Sequence, residues 1–216
     1  MARKATGTRE RILDAACELI AEKGYAATTH QAICDAADAN IAAINYYFGS
    51  KEELYAKVWS RAFEQMHEAH GVAPGEGMPP EDALMAIVRA RLEGVFDEGP
   101  GGHFAKIIFH SVHEHGHETT RKQFDRDLKP MMERFHRVVQ GVLGPKATEM
   151  HVSSCAFSIH SQCVHLNVAR RQGIGHGILA DRNPPPESQE KLIRMMLTFV
   201  AGGVRHMRDQ IDQGNL

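Results

Sequence analysis

Hydrophobic residues recur along most of the chain at intervals of three and four positions, which is the spacing of one face of an α-helix. The first set is Ile12, Ala15, Ala16, Leu19 and Ile20. It predicts a helix over 8–23 that ends at Gly24. Similar sets predict further helices over 50–70, 81–96, 103–115, 118–143, 145–171 and 188–211. No segment shows the period of two that is typical of a half-buried strand. The pattern therefore predicts an all-α fold.

Glycine and proline positions divide this series of helices. The segment GVAPGEGMPP at 71–80 is a linker, so we expect an N-terminal domain over 1–66 and a C-terminal domain over 80–213. The helix over about 50–70 would connect the two. Pro130 falls inside the pattern of 118–143 and should kink or split that helix. Ser188 is expected to cap the last helix.

Two short helices joined by a tight turn are predicted between Thr28 and Lys51. Thr28 and Gln31 fit a capping box that would start the first helix. The turn is Asp38-Ala39-Asn40, because Asp and Asn tolerate left-handed backbone. In the second helix, we expect three apolar side chains to point inward: Ile41, Ile44 and Phe48.

The next helix has a similar start signal. Ser50 and Glu53 fit a second capping box, directly after Gly49 has ended the preceding helix. The other faces of that preceding helix carry Ala42, Ala43, Asn45, Tyr46 and Tyr47. Small side chains permit close approach to a DNA major groove, Asn can read base edges, and Tyr hydroxyls can bond phosphate. This arrangement fits a helix-turn-helix, although a helical hairpin in an ordinary core is the alternative.

The stretch TTHQAICDAADANIAAINYYFGSK lies between EKGY and EEL. It closely resembles the N-terminal domain of TetR/AcrR-type transcriptional regulators over about residues 8–66. The resemblance implies a three-helix DNA-binding head, a larger C-terminal domain that binds a ligand, and a homodimer formed through the last two helices. The segment CAFSIHSQCVHLNVARR resembles the CecR-like branch of this family.

The resemblance also implies which residues contact DNA. Phosphate contacts are expected from Thr28, Thr29 and Lys51, and the family's aromatic pair is matched by Tyr46 and Tyr47. The residues expected to face bases are Asn40, Ala42, Ala43 and Asn45. For Tyr46, packing in the core is the alternative. Two positions depart from the family pattern: Asp38 stands where Gly is frequent, and Tyr47 stands where His is common.

The overall charge is only −2 with neutral His, so this is not a basic nucleic-acid coat protein. A local basic patch is formed in the sequence by Arg3, Lys4, Arg9 and Arg11. The four cysteines lack a CxxC spacing and are expected to be buried, reduced thiols. No apolar run is long enough to span a membrane, so we expect a soluble cytoplasmic protein without a membrane partner.

Histidines are concentrated at His103, His110, His113, His115 and His117. Three of them, at 110, 113 and 117, share one helical face and could hold Zn, Ni or Cu, although a solvated helix end is the simpler interpretation. A ligand pocket is the other possibility, with polar contacts to a mostly apolar molecule. The candidates are Phe109, His110, His113, His160 and His165. No phosphate loop or catalytic signature is found, so no cofactor is expected.

The predicted function is a homodimeric repressor that binds a double-stranded, palindromic DNA operator. A single reading helix covers few base pairs, and a twofold dimer doubles the site. The resemblance implies that a small hydrophobic effector displaces the connector helix and releases the operator. Two alternatives remain open: a metal-responsive regulator that uses the His103–His117 cluster, and a helical enzyme that acts on a small molecule.

Overall fold

The computed structural model describes residues 7–72, 77–113, 118–174, 177, 181 and 183–216, without the side chains of 112, 113 and 118–120. The α-helices in this part are α1 (Thr8–Lys23), α2 (His30–Ala37), α3 (Ile41–Phe48), α4 (Lys51–His70), α5 (Pro80–Phe96), α6 (His103–His113), α7 (Glu118–Gln123), α8 (Lys129–Leu143), α9 (Glu149–Gln172) and α10 (Pro186–Gln213). A 3-10 turn spans Pro100–Gly102, and a π-helical turn spans Phe124–Leu128. The described residues contain no strand, so the all-α prediction is confirmed. None of their helices has the length and hydropathy needed to span a membrane.

The chain divides into two compact units. The first contains Met1–Ala69 and Asp97–Leu128, and the second contains His70–Phe96 and Lys129–Leu216. Residues 97–128, which the sequence interpretation placed in the C-terminal domain, therefore group with the predicted head. The 71–80 linker lies between the end of α4 and the start of α5.

The core of the first unit is formed by α1 to α4 together with α6. Its fully buried side chains include Ile12, Ile20, Ile33, Ile44, Leu54, Val58 and Trp59. The indole of Trp59 packs edge-on against Phe104 of α6, with ring centroids 5.3 Å apart. Its Nε1 donates to Oδ2 of Asp127 at 3.1 Å, which satisfies the one polar group of this buried side chain. The π-helical turn is thereby fixed against α4.

The predicted helix limits hold at some positions and fail at others. Ser50 Oγ accepts from the Glu53 backbone N–H and Glu53 Oε2 accepts from that of Ser50, so the second capping box is confirmed. The predicted break near Pro130 is also confirmed, because α8 begins at Lys129 after the π-helical turn. The Ser188 cap is wrong. Helix α10 begins at Pro186, whose fixed φ suits a first helical position.

The second unit buries one apolar cluster between α5, α8, α9 and α10, which includes Leu84, Leu92, Phe135, Val139, Ile159, Leu166, Ile193 and Val200. Arg170 of α9 is buried there, donates to the Val95 backbone carbonyl and lies 4.4 Å above the Phe96 ring. This side chain satisfies a carbonyl near the end of α5. Cys155 and Cys163 are buried in the cluster, and all four cysteines of the chain are free, as predicted.

Candidate nucleic-acid interface

Helix α3 is held by caps at both ends. Asn40 precedes it, and the Asn40 Oδ1 accepts from the Ala43 backbone N–H at 2.8 Å. Gly49 ends it with φ 72°, a left-handed conformation that glycine adopts without steric cost. Asp38 has φ 48° and ψ 58°, so the predicted left-handed turn before the helix is confirmed. Helix α3 therefore has a fixed start, a fixed end and a fixed direction of entry.

The buried side of α3 differs from the prediction at one residue. Ile44 and Phe48 are buried, as expected, but Ile41 is 45% exposed. Ile41 is the first residue of the helix. Because Ile41, Ile44 and Phe48 are spaced as one helical face, their spacing alone does not indicate that Ile41 is exposed.

The outward side of α3 carries no charged residue. Ala42 and Asn45 are exposed, Ala43 is half-buried, and Tyr47 is 41% exposed. Tyr46 is 83% exposed, so packing in the core is excluded for this ring. The two tyrosine rings contact each other edge-on, with centroids 5.0 Å apart. The helix thus presents small residues, one amide and two phenols to a ligand.

Thr28 and Thr29 have different environments. Thr28 is 1% exposed, and its hydroxyl donates to the Gly24 backbone carbonyl at 2.7 Å. Thr29 is exposed and is the N-cap of α2, where its Oγ1 accepts from the Ala32 N–H at 3.1 Å. The predicted Thr28–Gln31 capping box is therefore wrong by one residue, and Gln31 instead donates to Asp35. Because the Thr28 hydroxyl is buried and bonded, only Thr29 of this pair is accessible to a phosphate.

Lys51 begins α4 and is half-buried. Its Nζ donates to the Tyr25 backbone carbonyl at 2.8 Å and lies 4.3 Å from the centre of the Tyr25 ring. The Tyr25 hydroxyl in turn donates to Glu52 at 3.1 Å. An ammonium group has three donors, so these contacts orient the Lys51 charge and still leave donors for an anion.

The basic residues at the start of the chain also have structural roles. Arg11 donates from Nε to the Ala37 carbonyl at 3.0 Å and from Nη2 to the Asp38 carbonyl at 3.3 Å, which satisfies the end of α2. Arg9 pairs with Glu10 and lies 5.3 Å from the Phe48 ring centre. Arg3 and Lys4 lie outside the described residues. The basic patch is therefore partly used inside the fold.

The five candidate ligand-binding residues are divided between the two units. Phe109 and His110 lie half-buried on α6 of the first unit, with ring centroids 5.5 Å apart. The His113 side chain lies outside the described set. His160 and His165 lie on α9 of the second unit and are exposed. A separate surface hollow of about 480 Å³ in the second unit is lined by other residues: Met78, Pro80, Ala83, Arg134, Arg137, Val138 and Gly141.

The predicted metal cluster is only partly described. His115 and His117 lie outside the described residues, as does the side chain of His113. In the part of the chain that the structure describes, no three His, Cys, Asp or Glu side chains come close enough to hold a metal ion. His103 is half-buried at the start of α6, and its Nδ1 has no hydrogen-bond partner there. Burial and the positive charge of Lys106 lower the pKa of His103.

Helices α9 and α10 each expose an apolar stripe. On α9 it includes Met150 and Phe157, both 72% exposed, and Val164, 45% exposed. On α10 it includes Met195, 61% exposed, and Phe199, 70% exposed. Gly202 continues this second stripe, and a Cβ atom built on it would meet no atom within 4 Å. Exposed large apolar side chains at helical spacing are typical of an interaction surface.

Known protein families match both the N-terminal and the C-terminal part of the chain. The model of bacterial regulatory proteins of the tetR family matches residues 12–58. The model of the C-terminal domain of the HTH-type transcriptional dual regulator CecR matches residues 80–204, which is more than half of the chain. The matched families consist of transcriptional regulators, which are not enzymes, and this sets aside the enzymatic alternative.

Individual relatives agree with these matches. The chain is 30% identical over 148 residues to the HTH-type transcriptional regulator AcrR of Shigella flexneri, which covers 65% of this chain and 66% of that protein. It is 32% identical over 87 residues to the HTH-type transcriptional repressor NicS of Pseudomonas putida, which covers 40% of this chain and 41% of that protein. Each alignment spans less than two thirds of the relative's length.

A solved structure shows the same fold. The TetR-like transcriptional regulator from a Rhodococcus species superimposes with a TM-score of 0.62 at 18% identity, covering 91% of this chain and 96% of that chain. The helix-turn-helix geometry, the two family matches and the shared fold agree with one another. The chain belongs to the TetR/AcrR family of bacterial transcriptional regulators, and its second half matches the CecR C-terminal domain.

Proposed function

We propose that this chain is a homodimeric transcriptional repressor whose α3 helices enter successive major grooves of a twofold-symmetric operator. The observation that carries the proposal is the outward side of α3. It is uncharged, capped at both ends, and carries Asn45 beside Tyr46, whose ring is 83% exposed. An exposed phenol on a short helix of small residues has no role in packing the monomer. It suits contact with a duplex.

Base recognition would come from the first two turns of α3. Asn45 carries an amide that can bond bidentately to adenine. Ala42 and the 45%-exposed Ile41 offer apolar contacts to thymine methyl groups. Asn40 and Ala43 complete the predicted surface. The Asn40 Oδ1 is used in capping, which leaves its amide N–H groups as donors to a base or a phosphate.

Phosphate contacts would position this helix. Thr29 lies at the N-terminus of α2, where backbone N–H groups and the helix dipole favour an anion. Tyr46 and Tyr47 can donate from their hydroxyls, and Lys51 can donate from an ammonium that Tyr25 orients. Thr28 is not part of this set, because its hydroxyl is committed to Gly24.

The exposed stripes of α9 and α10 support a dimer through the last two helices. A single Phe at 70% exposure is unremarkable in a soluble protein, but Phe157, Met195 and Phe199 expose large apolar surface on two neighbouring elements of the chain. A second copy of the chain would bury this surface. A twofold dimer would also present two α3 helices to the DNA, about 34 Å apart on successive major grooves.

The sign of regulation and the response to an effector complete the proposal. NicS, one of the relatives, is a transcriptional repressor, which supports repression here. The apolar interior of the second unit suits a hydrophobic effector. Effector binding would favour a state of low operator affinity, with a coupling free energy of about 1–3 kcal/mol.

Selection of bound sequences from a random duplex DNA pool tests the proposal. We expect enrichment of a sequence with dyad symmetry, whose half-site centres lie about one helical turn or a multiple of it apart. Asn45→Ala should change the enriched bases at one pair of symmetric positions. Thr28→Ser, which keeps the buried hydroxyl, should leave them unchanged. Absence of enrichment, or an enriched site without dyad symmetry, would contradict the proposal.

A further inference from the structure

We propose that the second unit binds an amphiphilic organic anion, an apolar molecule with a carboxylate group, and that Arg91 holds the carboxylate. This inference rests on the proposed function and specifies the chemical class of its effector. Two arginines on α5, Arg89 and Arg91, differ in whether a carboxylate pairs with the guanidinium.

Arg89 is ion-paired through both of its terminal nitrogens. Its Nη1 and Nη2 donate to the two carboxylate oxygens of Glu190 at 3.0 and 3.2 Å, and Nη1 also reaches Glu93 at 3.4 Å. Arg91 is half-buried, and its buried Nη1 has no hydrogen-bond partner among the residues that the structure describes. No carboxylate among the described residues forms an ion pair with Arg91.

An unpaired guanidinium at this place is costly for the free protein. Arg91 lies on α5 between the buried residues Val88, Leu92 and Val95. Burial of charge without a partner is unfavourable, and burial accordingly lowers the pKa of Arg91. Buried polar groups in folded proteins are nearly always bonded, so an orphan donor points to a partner that the free chain does not supply.

The guanidinium of Arg91 also contacts an aromatic ring. Its guanidinium carbon lies 4.1 Å from the centre of the Phe135 ring on α8. This distance is within the range of a cation–π contact. A guanidinium carries its N–H donors in a planar fork that matches a carboxylate bidentately.

Among the described residues, the titratable groups that are coupled to Arg91 supply no negative charge near neutral pH. His160 of α9 is exposed by its residue surface area, but desolvation of its imidazole and then the positive charge of Arg91 lower its pKa, which favours a neutral ring. Burial raises the pKa of the Cys163 thiol, the other α9 group whose titration Arg91 influences. Beyond these groups the interior is the apolar cluster of the second unit. A ligand that satisfies this site therefore needs both a negative group and an apolar body.

Matched ligand triplets test the inference on protein without DNA. Each triplet consists of three compounds with the same apolar body, which end in a carboxylate, a primary amide or an amine. Decyl, phenylbutyl and naphthyl groups are examples of the apolar body. Thermal stabilisation would be measured for the wild type, for Arg91→Met, and for Arg89→Met as the matched control on the same helix. We expect the carboxylates to raise the Tm of the wild type more than the amides and the amines do. This advantage should vanish in Arg91→Met and persist in Arg89→Met.

Several outcomes would overturn the inference. They are a lack of stabilisation by any of the carboxylates, an equal effect of the amides, an equal effect of inorganic phosphate alone, or a carboxylate preference that survives in Arg91→Met. The Tm of the two variants without any ligand provides a second test. Arg91→Met removes an unpaired buried charge and should raise the Tm, whereas Arg89→Met removes an ion pair and should lower it. A fall in Tm for Arg91→Met would indicate a structural role.

The same variants separate this inference from the proposed function. Arg91→Met should bind the selected DNA as the wild type does, but carboxylates should no longer release it. If neither protein binds DNA while the carboxylate preference depends on Arg91, the repressor proposal fails and the ligand inference stands. If the wild type and Arg91→Met both bind DNA but the wild type shows no preference for carboxylates, only the ligand inference fails.

Discussion

The Nζ of Lys106 on α6 lies 2.7 Å from Oε1 of Glu22 on α1 and joins these two helices of the first unit. The same ammonium lies 2.8 Å from Glu98, and its side chain is only 4% exposed. Burial has the largest single effect on the pKa of Lys106 and lowers it, but the two carboxylates together raise the pKa above its ordinary value. Helix α6 is thereby held to α1, which itself packs against α2 and α3.

Removal of both carboxylates should therefore destabilise the protein. In Glu22→Gln/Glu98→Gln the buried ammonium of Lys106 loses its charge partners. We expect the free energy of unfolding to fall by about 1–3 kcal/mol, below the range for fully buried pairs because both carboxylates are more than half exposed. Urea unfolding would measure this change. Adding Lys106→Met removes the stranded charge and should restore most of the loss, and a triple variant as unstable as the double one would contradict the argument.

The imidazole of His103 should make stability depend on pH. Its pKa in the folded protein is lowered, first by burial and then by Lys106. As the pH falls through about 6.5, the unfolded chain takes up a proton at His103 that the folded chain does not. The free energy of unfolding should therefore fall with decreasing pH, and this contribution should level off below the folded pKa.

Comparison of variants isolates the contribution of His103 from the other histidines. His103→Gln should lose less stability than the wild type over this acidic range. His206→Gln, which replaces an exposed histidine on α10, should follow the wild type. Chemical unfolding at a series of pH values provides the measurement. A pH profile of His103→Gln that parallels the wild type would show that burial of this imidazole does not control the titration.

The two adjacent threonines before α2 should respond differently to substitution. Thr28→Val leaves the Gly24 carbonyl without its buried donor, and we expect a loss of about 1–2 kcal/mol in the free energy of unfolding. Thr29→Ala removes the N-cap and should cost about 1 kcal/mol. Only Thr29→Ala should also weaken DNA binding at a salt concentration where both variants are folded. Equal weakening by Thr28→Val would place both hydroxyls in the interface.

Periodicity was sufficient to predict most helices, because each buries a stripe that repeats every three or four residues. The Ser50–Glu53 box was predicted correctly, since both partners lie in one local signature. The Thr28–Gln31 box was wrong because two consecutive threonines offer the same chemistry. Tertiary packing decides which of them faces inward. Ile41 was misplaced for a related reason: its spacing fits the buried face, but as the first residue of α3 it stays 45% exposed.

Long-range polar contacts could not be predicted from the sequence. Lys106 and Glu22 are separated by 84 positions, and neither lies in a motif that indicates pairing. Arg89 and Arg91 look equivalent in sequence, yet Arg89 is paired with Glu190 and Arg91 forms no ion pair with any described residue. Helical periodicity places both on α5 but does not show which carboxylates the packed helices bring near them.

Two substitutions on α3 should separate positioning from base reading. Tyr46→Phe removes one exposed hydroxyl from each subunit and should weaken binding by about 1–3 kcal/mol for the two copies, to a similar extent on all DNA sequences. Asn45→Ala should weaken binding to the selected site more than to unrelated DNA. Titration of both DNAs with each variant would measure the difference. If Tyr46→Phe weakened binding to the selected site more than to unrelated DNA, this side chain would take part in base recognition instead.

The proposed dimer can be tested at a glycine where the monomer has room. A Cβ atom at Gly202 would meet no atom within 4 Å, so Gly202→Leu should leave the monomer folded. A partner packed against the exposed stripe of α10 would be pushed away. Phe199→Asp should also weaken the dimer. A twofold interface contains the substitution twice, so we expect a cost of about 3–6 kcal/mol in the free energy of dimerisation. Sedimentation equilibrium should show a monomer for both variants and a dimer for Phe124→Asp, which alters an exposed Phe of the first unit. A dimer that persists in Gly202→Leu would exclude α10 as the closely packed element.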